Sequence, residues 1–150
     1  MAVNWKLSGD YYVDAINGSD SNAGTAVAPF KTIQAAATAH AAGETIIVGP
    51  GIYNEQIDGD SKYGSKLYAD GFVVVDGTNV SNTGVFFDCH TWDIQNFKVI
   101  NCAEVIGAAD YRRSPNFTFC EFRDCIKFTD YGFYSTNNFI QHCIFVNFSQ

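Results

Sequence analysis

The feature that most constrains this chain is a repeat of 23 residues in its second half. Sliding the segment that holds Ile94, Phe97, Val99, Asn101 and Cys102 forward by 23 places it on Phe117, Cys120, Phe122, Asp124 and Cys125. A second step lands on Ile140, Cys143, Phe145, Asn147 and Phe148. Four columns stay apolar through three passes, the fifth stays Asn or Asp, and no gap is needed. Inside each pass the apolar residues alternate as in a β-strand, so the unit is a set of short strands rather than a helix. A coil of about 23 residues cannot bury its apolar face alone. Stacked coils lay each strand beside its equivalent about 4.8 Å away, and inward side chains then form columns through a common core. The expected fold is therefore all-β, a parallel β-solenoid with about 23 residues per turn. The Asn101/Asp124/Asn147 column fits a bend at which short polar side chains cap backbone groups and ladder between coils.

Composition agrees with one well-packed domain. Of 150 residues, 47 % are hydrophobic and 15 % aromatic, with 13 Phe, which excludes a disordered chain. The formal net charge is −7, which repels phosphate backbones. Arg112 and Arg113 are too few to reverse it, so no nucleic-acid partner is expected. The N-terminus, MAVNWKLSGDYYV, lacks the apolar run of roughly 7 to 15 residues of a secretory signal, and no segment reaches the roughly 18 apolar residues of a membrane span. Synthesis in a cytosol without a signal, and no membrane partner, are expected. Five cysteines with no CxxC pair argue against zinc. The stacked pairs Cys120/Cys143 and Cys102/Cys125 are read as small apolar fillers rather than disulfides.

The first half reads differently. YYVDAI, residues 11–16, is strand-like; NGSDSNAGTAVAP supplies turn formers; PFKTIQAAATAHAAG reads as a helix from Pro29 to a stop at Gly43, with Phe30, Ile33, Ala37 and Ala41 on one face. TIIVGPGIYNEQI then gives two short strands around a Gly-Pro-Gly corner, and nothing later reads as helical. A solenoid exposes apolar surface and strand edges at its ends. The Ala-rich helix is placed to lie across the first coil as a cap, with residues 1–45 forming the N-terminal strand, loop and capping helix. Residues 46–150 form the coils, and Phe145, Val146 and Phe148 would lie at an uncovered end unless further coils or a partner chain continue the stack. Asp14, Asp20 and Asn22 are read as turn residues, with cation binding as the alternative.

Residues 11–57, with the pattern VDxxxGSDSNxGTxxxPFKTIQxAxxAxxxGxTIxVxPGxYxE, resemble the N-terminal portion of the pectate-lyase-like right-handed parallel β-helix superfamily. That group includes polysaccharide lyases and phage tailspike and tail-fibre proteins. The resemblance implies a right-handed, helix-capped β-helix; it does not imply an activity, because the fold carries enzymes and scaffolds alike.

Lyases of that group hold Ca²⁺ on carboxylates of neighbouring coils and use a Lys or Arg base. Within the regular region no acids recur at 23: Asp93 steps to Asn116 and Phe139, Glu104 to Lys127, and Asp130 back to Gly107. No catalytic residue, metal site or cofactor is expected within these residues, and Ca²⁺ enters only with a lyase whose catalytic turns lie outside them. One surface column has binding chemistry. At a step of 23, Asp88, Tyr111 and Tyr134 stack beside His90 and Arg113, with Arg112 adjoining, and aromatic faces flanked by charged and polar groups suit sugars. An ordinary solvated loop is the competing reading. Lys98 and Glu121, also 23 apart, predict an outward ion pair. His40 and His142 are read as surface or packing residues.

Three functions fit. The first is a structural or receptor-binding component of a phage virion, a tailspike or tail fibre. It would present a carbohydrate-facing surface to a host polysaccharide, contact other virion proteins, form a homotrimer by its resemblance to tailspikes, and become extracellular after lysis. The second is the N-terminal portion of a polysaccharide lyase or depolymerase. The third is a free-standing carbohydrate-binding module.

Overall fold

In the computed structural model, residues 3–80, 84–107, 115–128 and 140–148 are described. They form a right-handed parallel β-solenoid with one short helix near the N-terminus. The chain winds past three faces, and every strand pairing between coils is parallel.

The first face begins with β1 (Tyr11–Val13), followed after the helix α1 (Ile33–Ala39) by β2 (Thr45–Val48). The second face begins with β3 (Gly51–Tyr53) and the third with β4 (Ile57–Asp58). The long strand β5 (Lys66–Asp76) turns the corner between the first two faces and pairs with both β2 and β3. The third face continues with β6 (Phe86–Phe87). Next, β7 (Asp93–Ile100) again spans two faces, and β8 (Ile106–Gly107) returns to the third. The next coil carries β9 (Asn116–Thr118) and β10 (Glu121–Arg123), and the last described coil carries β11 (Ile140–Gln141) and β12 (Ile144–Val146).

The 23-residue step is seen directly. Ile94 pairs with Phe117 and Phe117 with Ile140; Val99 pairs with Phe122 and Phe122 with Phe145. Two core columns result. Ile46, Leu67, Ile94 and Phe117 stack through one face, and Tyr53, Val75, Val99 and Phe122 through another, all buried. Burying each such side chain contributes about 1.5–3 kcal/mol. Phe97 and Cys120 are likewise buried one coil apart.

In the later coils, from β7 onward, two corners per coil use left-handed backbone. Asn101, Asp124 and Asn147 have φ of 54°, 56° and 54°, and the ladder is real: Asn147 Nδ2 donates to Asp124 Oδ1 at 2.8 Å. Asn101 Nδ2 reaches Asp76 Oδ1 at 3.3 Å, which extends the column one coil earlier. Asn and Asp tolerate this conformation best among residues with a side chain. The other corner, Asn96, Phe119 and His142, has φ of 65°, 55° and 54°. Its residue types share no obvious chemistry, so a residue pattern does not reveal it.

The early coils depart from the period. Tyr11 pairs with Ile46, Ile46 with Leu67 and Leu67 with Ile94, which are steps of 35, 21 and 27. The longest step contains the loop and α1. That helix buries Ile33, Ala36 and Ala37 and packs against β1, β2 and β4, so it covers the end of the core. Small Ala side chains allow the close approach.

The helix is shorter than the 29–43 predicted from sequence. Phe30 is held as extended chain, donating its N–H to Tyr12 O and accepting from Asp14 N. Thr32 then becomes the N-cap, its Oγ1 accepting from Ala35 N at 3.1 Å. At the other end His40 adopts extended φ/ψ as its ring turns inward, so the helix stops before Gly43, and Ala41 is exposed. The strand predicted over 11–16 ends at Val13, because the Asp14 carboxylate accepts from Ile16 N and Asn17 N and bends the chain into a turn. Gly18 is required in the fold-back, since a Cβ there would come within 2.1 Å of Phe30 O. A single 3-10 turn, Gly77–Asn79, appears where no helical signal was read; it is capped by Asp76 accepting from Thr78 N.

Candidate functional site

The acidic residues mostly act as clips on main chain. Asp10 accepts from Thr45 N, Asp58 from Asp60 N, and Glu44 from Ala41 N. Asp20 accepts from Lys31 N, Thr32 N and the Thr32 hydroxyl. Asp70 accepts from Lys6 N and Leu7 N, which ties the N-terminal segment to β5. Glu55 accepts from Ile33 N at 2.9 Å and Gln34 N at 2.8 Å, the otherwise unpaired donors at the start of α1. Burial still holds its carboxyl above the usual range, more than those two bonds lower it. Asp14 is also desolvated, but its bonds from Asn17 and Ile16 prevail and hold it below the usual range. Asn22 donates to Pro29 O. The residues considered as cation ligands, Asp14, Asp20 and Asn22, thus make turn contacts. Among the described residues, no group of three or more His, Cys, Asp or Glu is arranged to hold a metal ion.

A second polar cluster lies under α1. His40 is buried, with Nδ1 2.7 Å from Ala37 O and Nε2 2.9 Å from Ser65 Oγ, and its ring stands edge-on to Trp92 at 4.9 Å. With Nδ1–H donating to the carbonyl, Nε2 accepts from the serine. Ser65 in turn accepts from Gly43 N. Lys62 Nζ donates to Ala37 O and Thr38 O, both at 2.8 Å, at the negative end of the helix, and Trp92 Nε1 donates to Lys62 O. Burial holds His40 below its ordinary range. Ser65 and His40 are enclosed, so this serine–histidine pair fastens the cap and is closed to a substrate.

The predicted sugar-facing column is only partly within the described residues. Asp88 is half-buried with φ of 48°, and its Oδ1 lies 3.8 Å from His90 Nε2. His90 is 3 % exposed, and Tyr63 stacks on it at 5.3 Å and 16°. Among the described residues, the ring that meets solvent here is Tyr63, at 41 % exposed, which lies 27 residues before His90 and escapes a search at 23. On this face Phe86 pairs with Ile106 and Phe87 with Gly107, a step of 20. The step returns to 23 at Asp93–Asn116, so the difference is taken up between 107 and 116. Tyr111, Arg112, Arg113 and Tyr134 lie outside the described residues.

On the second face Lys98 Nζ meets Glu121 Oε1 at 3.2 Å, as its spacing predicts, and Arg123 Nε joins the same oxygen at 2.9 Å. Arg123 first, then Lys98, holds the Glu121 carboxyl below its usual range. Lys127 and Glu104, also 23 apart, form an isolated bridge and stand 3.8 Å apart. The described cysteines are all free thiols. Cys102 Sγ lies 2.7 Å from Cys125 Sγ, and Cys143 at the last coil is the least enclosed.

Two exposed aromatic residues lie at the corner between the first two faces, whereas Tyr63 and Phe145 are exposed elsewhere. Phe72 is 70 % exposed and Phe119 58 %, and Phe119 stacks on His142 at 5.0 Å and 12°.

Comparison with known proteins adds a family and a relative. A protein family of unknown function (DUF1565) matches residues 16–60, the loop, α1 and the first coil. A Bacillus subtilis (strain 168) protein, "Uncharacterized protein YwoF", is 38 % identical over 86 residues, which cover 53 % of this chain and 18 % of that protein. The chain therefore spans less than a fifth of the length of this relative. No solved structure matches it.

Proposed function

We propose that this chain is a structural, receptor-binding β-helical component of a phage virion, a tailspike or tail fibre, that presents a carbohydrate-facing surface. The observation that carries the structural half is the use of its acids. Asp10, Asp14, Asp20, Glu55 and Asp70 hold loops, cap helix and N-terminal segment against the coils, which yields a rigid frame. The virion half rests on the sequence resemblance to tailspikes, which also implies a homotrimer and contacts with other virion proteins. On this reading the chain is made in the host cytoplasm, is carried in the particle, and meets a host-surface polysaccharide after release.

The test is an array of host-surface polysaccharides probed with the wild type and with Tyr111→Ala and Arg113→Ala. Retention lost in the variants supports the predicted column, and no retention on any glycan removes the carbohydrate half. Mass spectrometry of purified particles tests the virion half. A second reading draws on the bacterial relative, in which the matched segment is a small share of a longer chain. These coils would then begin a polysaccharide lyase or depolymerase whose catalytic turns lie elsewhere and use Ca²⁺. Incubation with uronate polymers and Ca²⁺, followed by absorbance of the unsaturated product, separates the two.

A further inference from the structure

The corner that carries Asn96, Phe119 and His142 contains a choice that folding does not explain. Asn96 shows what the position accepts readily, a short polar side chain at positive φ. One coil later the same position holds Phe, a bulky residue for which φ of 55° is an outlier, and its ring is 58 % exposed. The fold thus carries both backbone strain and an exposed ring, and it gains little core packing from either. Such outliers are starting points for a functional hypothesis.

The neighbouring coils extend the feature. His142 stacks flat on Phe119, 5.0 Å away. On the other side, Tyr68 pairs with Gln95 and Val73 with Phe97, so four residues of β5 stand opposite Asn96 alone. That bulge presents Phe72, 70 % exposed, on the same edge. Aromatic rings therefore line one edge of the solenoid along its axis, with Asn96 between them. Beside the edge, the outward row of the first face is Tyr68, Gln95, Thr118 and Gln141, joined by register. It is a row of hydroxyl and amide groups, with the Asp93 carboxylate at its side accepting from the Tyr68 hydroxyl and Gln95 Nε2.

We propose that this edge is a saccharide-binding shelf on which pyranose rings of an uncharged polysaccharide pack against Phe72 and the exposed parts of the stacked Phe119–His142 pair, their hydroxyls meeting the Gln95–Thr118–Gln141 row. This rests on the glycan-facing reading above and assigns it a different set of residues. A pyranose presents an apolar C–H face and a rim of hydroxyls, and the edge offers the complement of each. The rings recur at the coil spacing, one or two laps apart, which suits an extended polymer lying along the axis. A protein partner would need a contiguous apolar patch, whereas Asn96 separates Phe72 from the Phe119–His142 pair, and Gln95, Thr118, Lys98 and Glu121 border the edge. The net charge of −7 disfavours an acidic polymer.

The test is affinity electrophoresis of the full chain in gels containing hydroxyethyl cellulose, galactomannan, mannan, dextran or polygalacturonate, with Phe119→Asn and Phe72→Ala as variants. The expected result is retardation in at least one neutral polymer, weakened about tenfold by Phe119→Asn, as loss of one stacking platform implies. Because Asn suits positive φ, the unfolding midpoint of Phe119→Asn should stay equal or rise, which a structural role for Phe119 would not allow. Retardation only in polygalacturonate, none in any neutral polymer, or an unchanged Phe119→Asn variant overturns the proposal. So does self-association of the wild type that Phe119→Asn abolishes, since the edge would then be a contact between copies. Binding that survives Phe119→Asn but is lost in Tyr111→Ala and Arg113→Ala leaves the glycan-facing reading standing and removes this shelf.

Discussion

Replacing Phe117 by Ala should open the later coils and leave the capped coils closed. Phe117 is fully buried, and its ring meets Phe86, Phe122 and Phe128 edge-on at 5.4, 5.2 and 5.6 Å. Truncation removes the transfer free energy of the ring and leaves a cavity, together about 3–5 kcal/mol. Three T-shaped partners, each contributing about 0.5–1.5 kcal/mol, place this site toward the upper end of that range. In a solenoid each coil depends chiefly on its neighbours, so the loss is local. A loss of about 4 kcal/mol is about a thousandfold in an opening equilibrium, at 1.4 kcal/mol per tenfold. Native-state hydrogen exchange should therefore show amides of Val99, Phe122 and Phe145 exchanging about a thousandfold faster. Those of Ile46, Ile47 and Val48 beneath α1 should change less than about tenfold. Ile144→Ala, at an outward and exposed position, is the control, with an effect of about 0.5 kcal/mol or less. Uniform acceleration across the chain, or less than tenfold at Val99 and Phe122, would refute the coil-by-coil reasoning.

Three further predictions follow from single groups. His40 is held below its ordinary range chiefly by burial, so between its folded pKa and about 6.5 the unfolded chain binds more protons than the native one. Its stabilisation is complete above that range and is lost as pH falls through it; urea unfolding should show stability declining from pH 7 to 5, and His40→Gln should flatten the decline. Cys143, whose thiol is lowered to about 7 mainly by the donated Cys120 S–H, is also the most accessible of the described thiols. Iodoacetamide under native conditions should modify it first, as peptide mapping would show, whereas Cys89 labelled first would contradict the packing. Asp124, at φ of 56° and bonded to Asn147, should tolerate Gly, whereas Asp124→Val should lose about 1–2 kcal/mol or more in chemical denaturation.

The parts of this fold that were legible in the sequence are those in which one position repeats with one chemistry. Phe117, Phe122 and the Asn101 column could be placed because strict 23-residue stacking puts like side chains together. The Lys98–Glu121 pair followed from the same spacing. The early coils were harder to read because the loop with α1, and the long excursions of β5 and its following loop, change the step. Helix length was overestimated because Ala-rich sequence records propensity and not the competing bonds of Phe30 and His40. Tyr63 over His90 lies at a step of 27, and the Asn96/Phe119/His142 corner unites residues with no common chemistry. The 23-residue step stacks them, but only the backbone angles reveal that the column is a left-handed corner.

The central claim is that side chains 23 residues apart become neighbours in successive parallel coils. It is tested most directly by methyl–aromatic nuclear Overhauser contacts on a selectively labelled chain. The Phe117 ring should show contacts to the methyls of both Ile94 and Ile140, and the Phe122 ring to those of Val99. Contacts that pair these rings with residues at another offset, or an antiparallel pattern between the strands, would contradict the stacked-coil architecture.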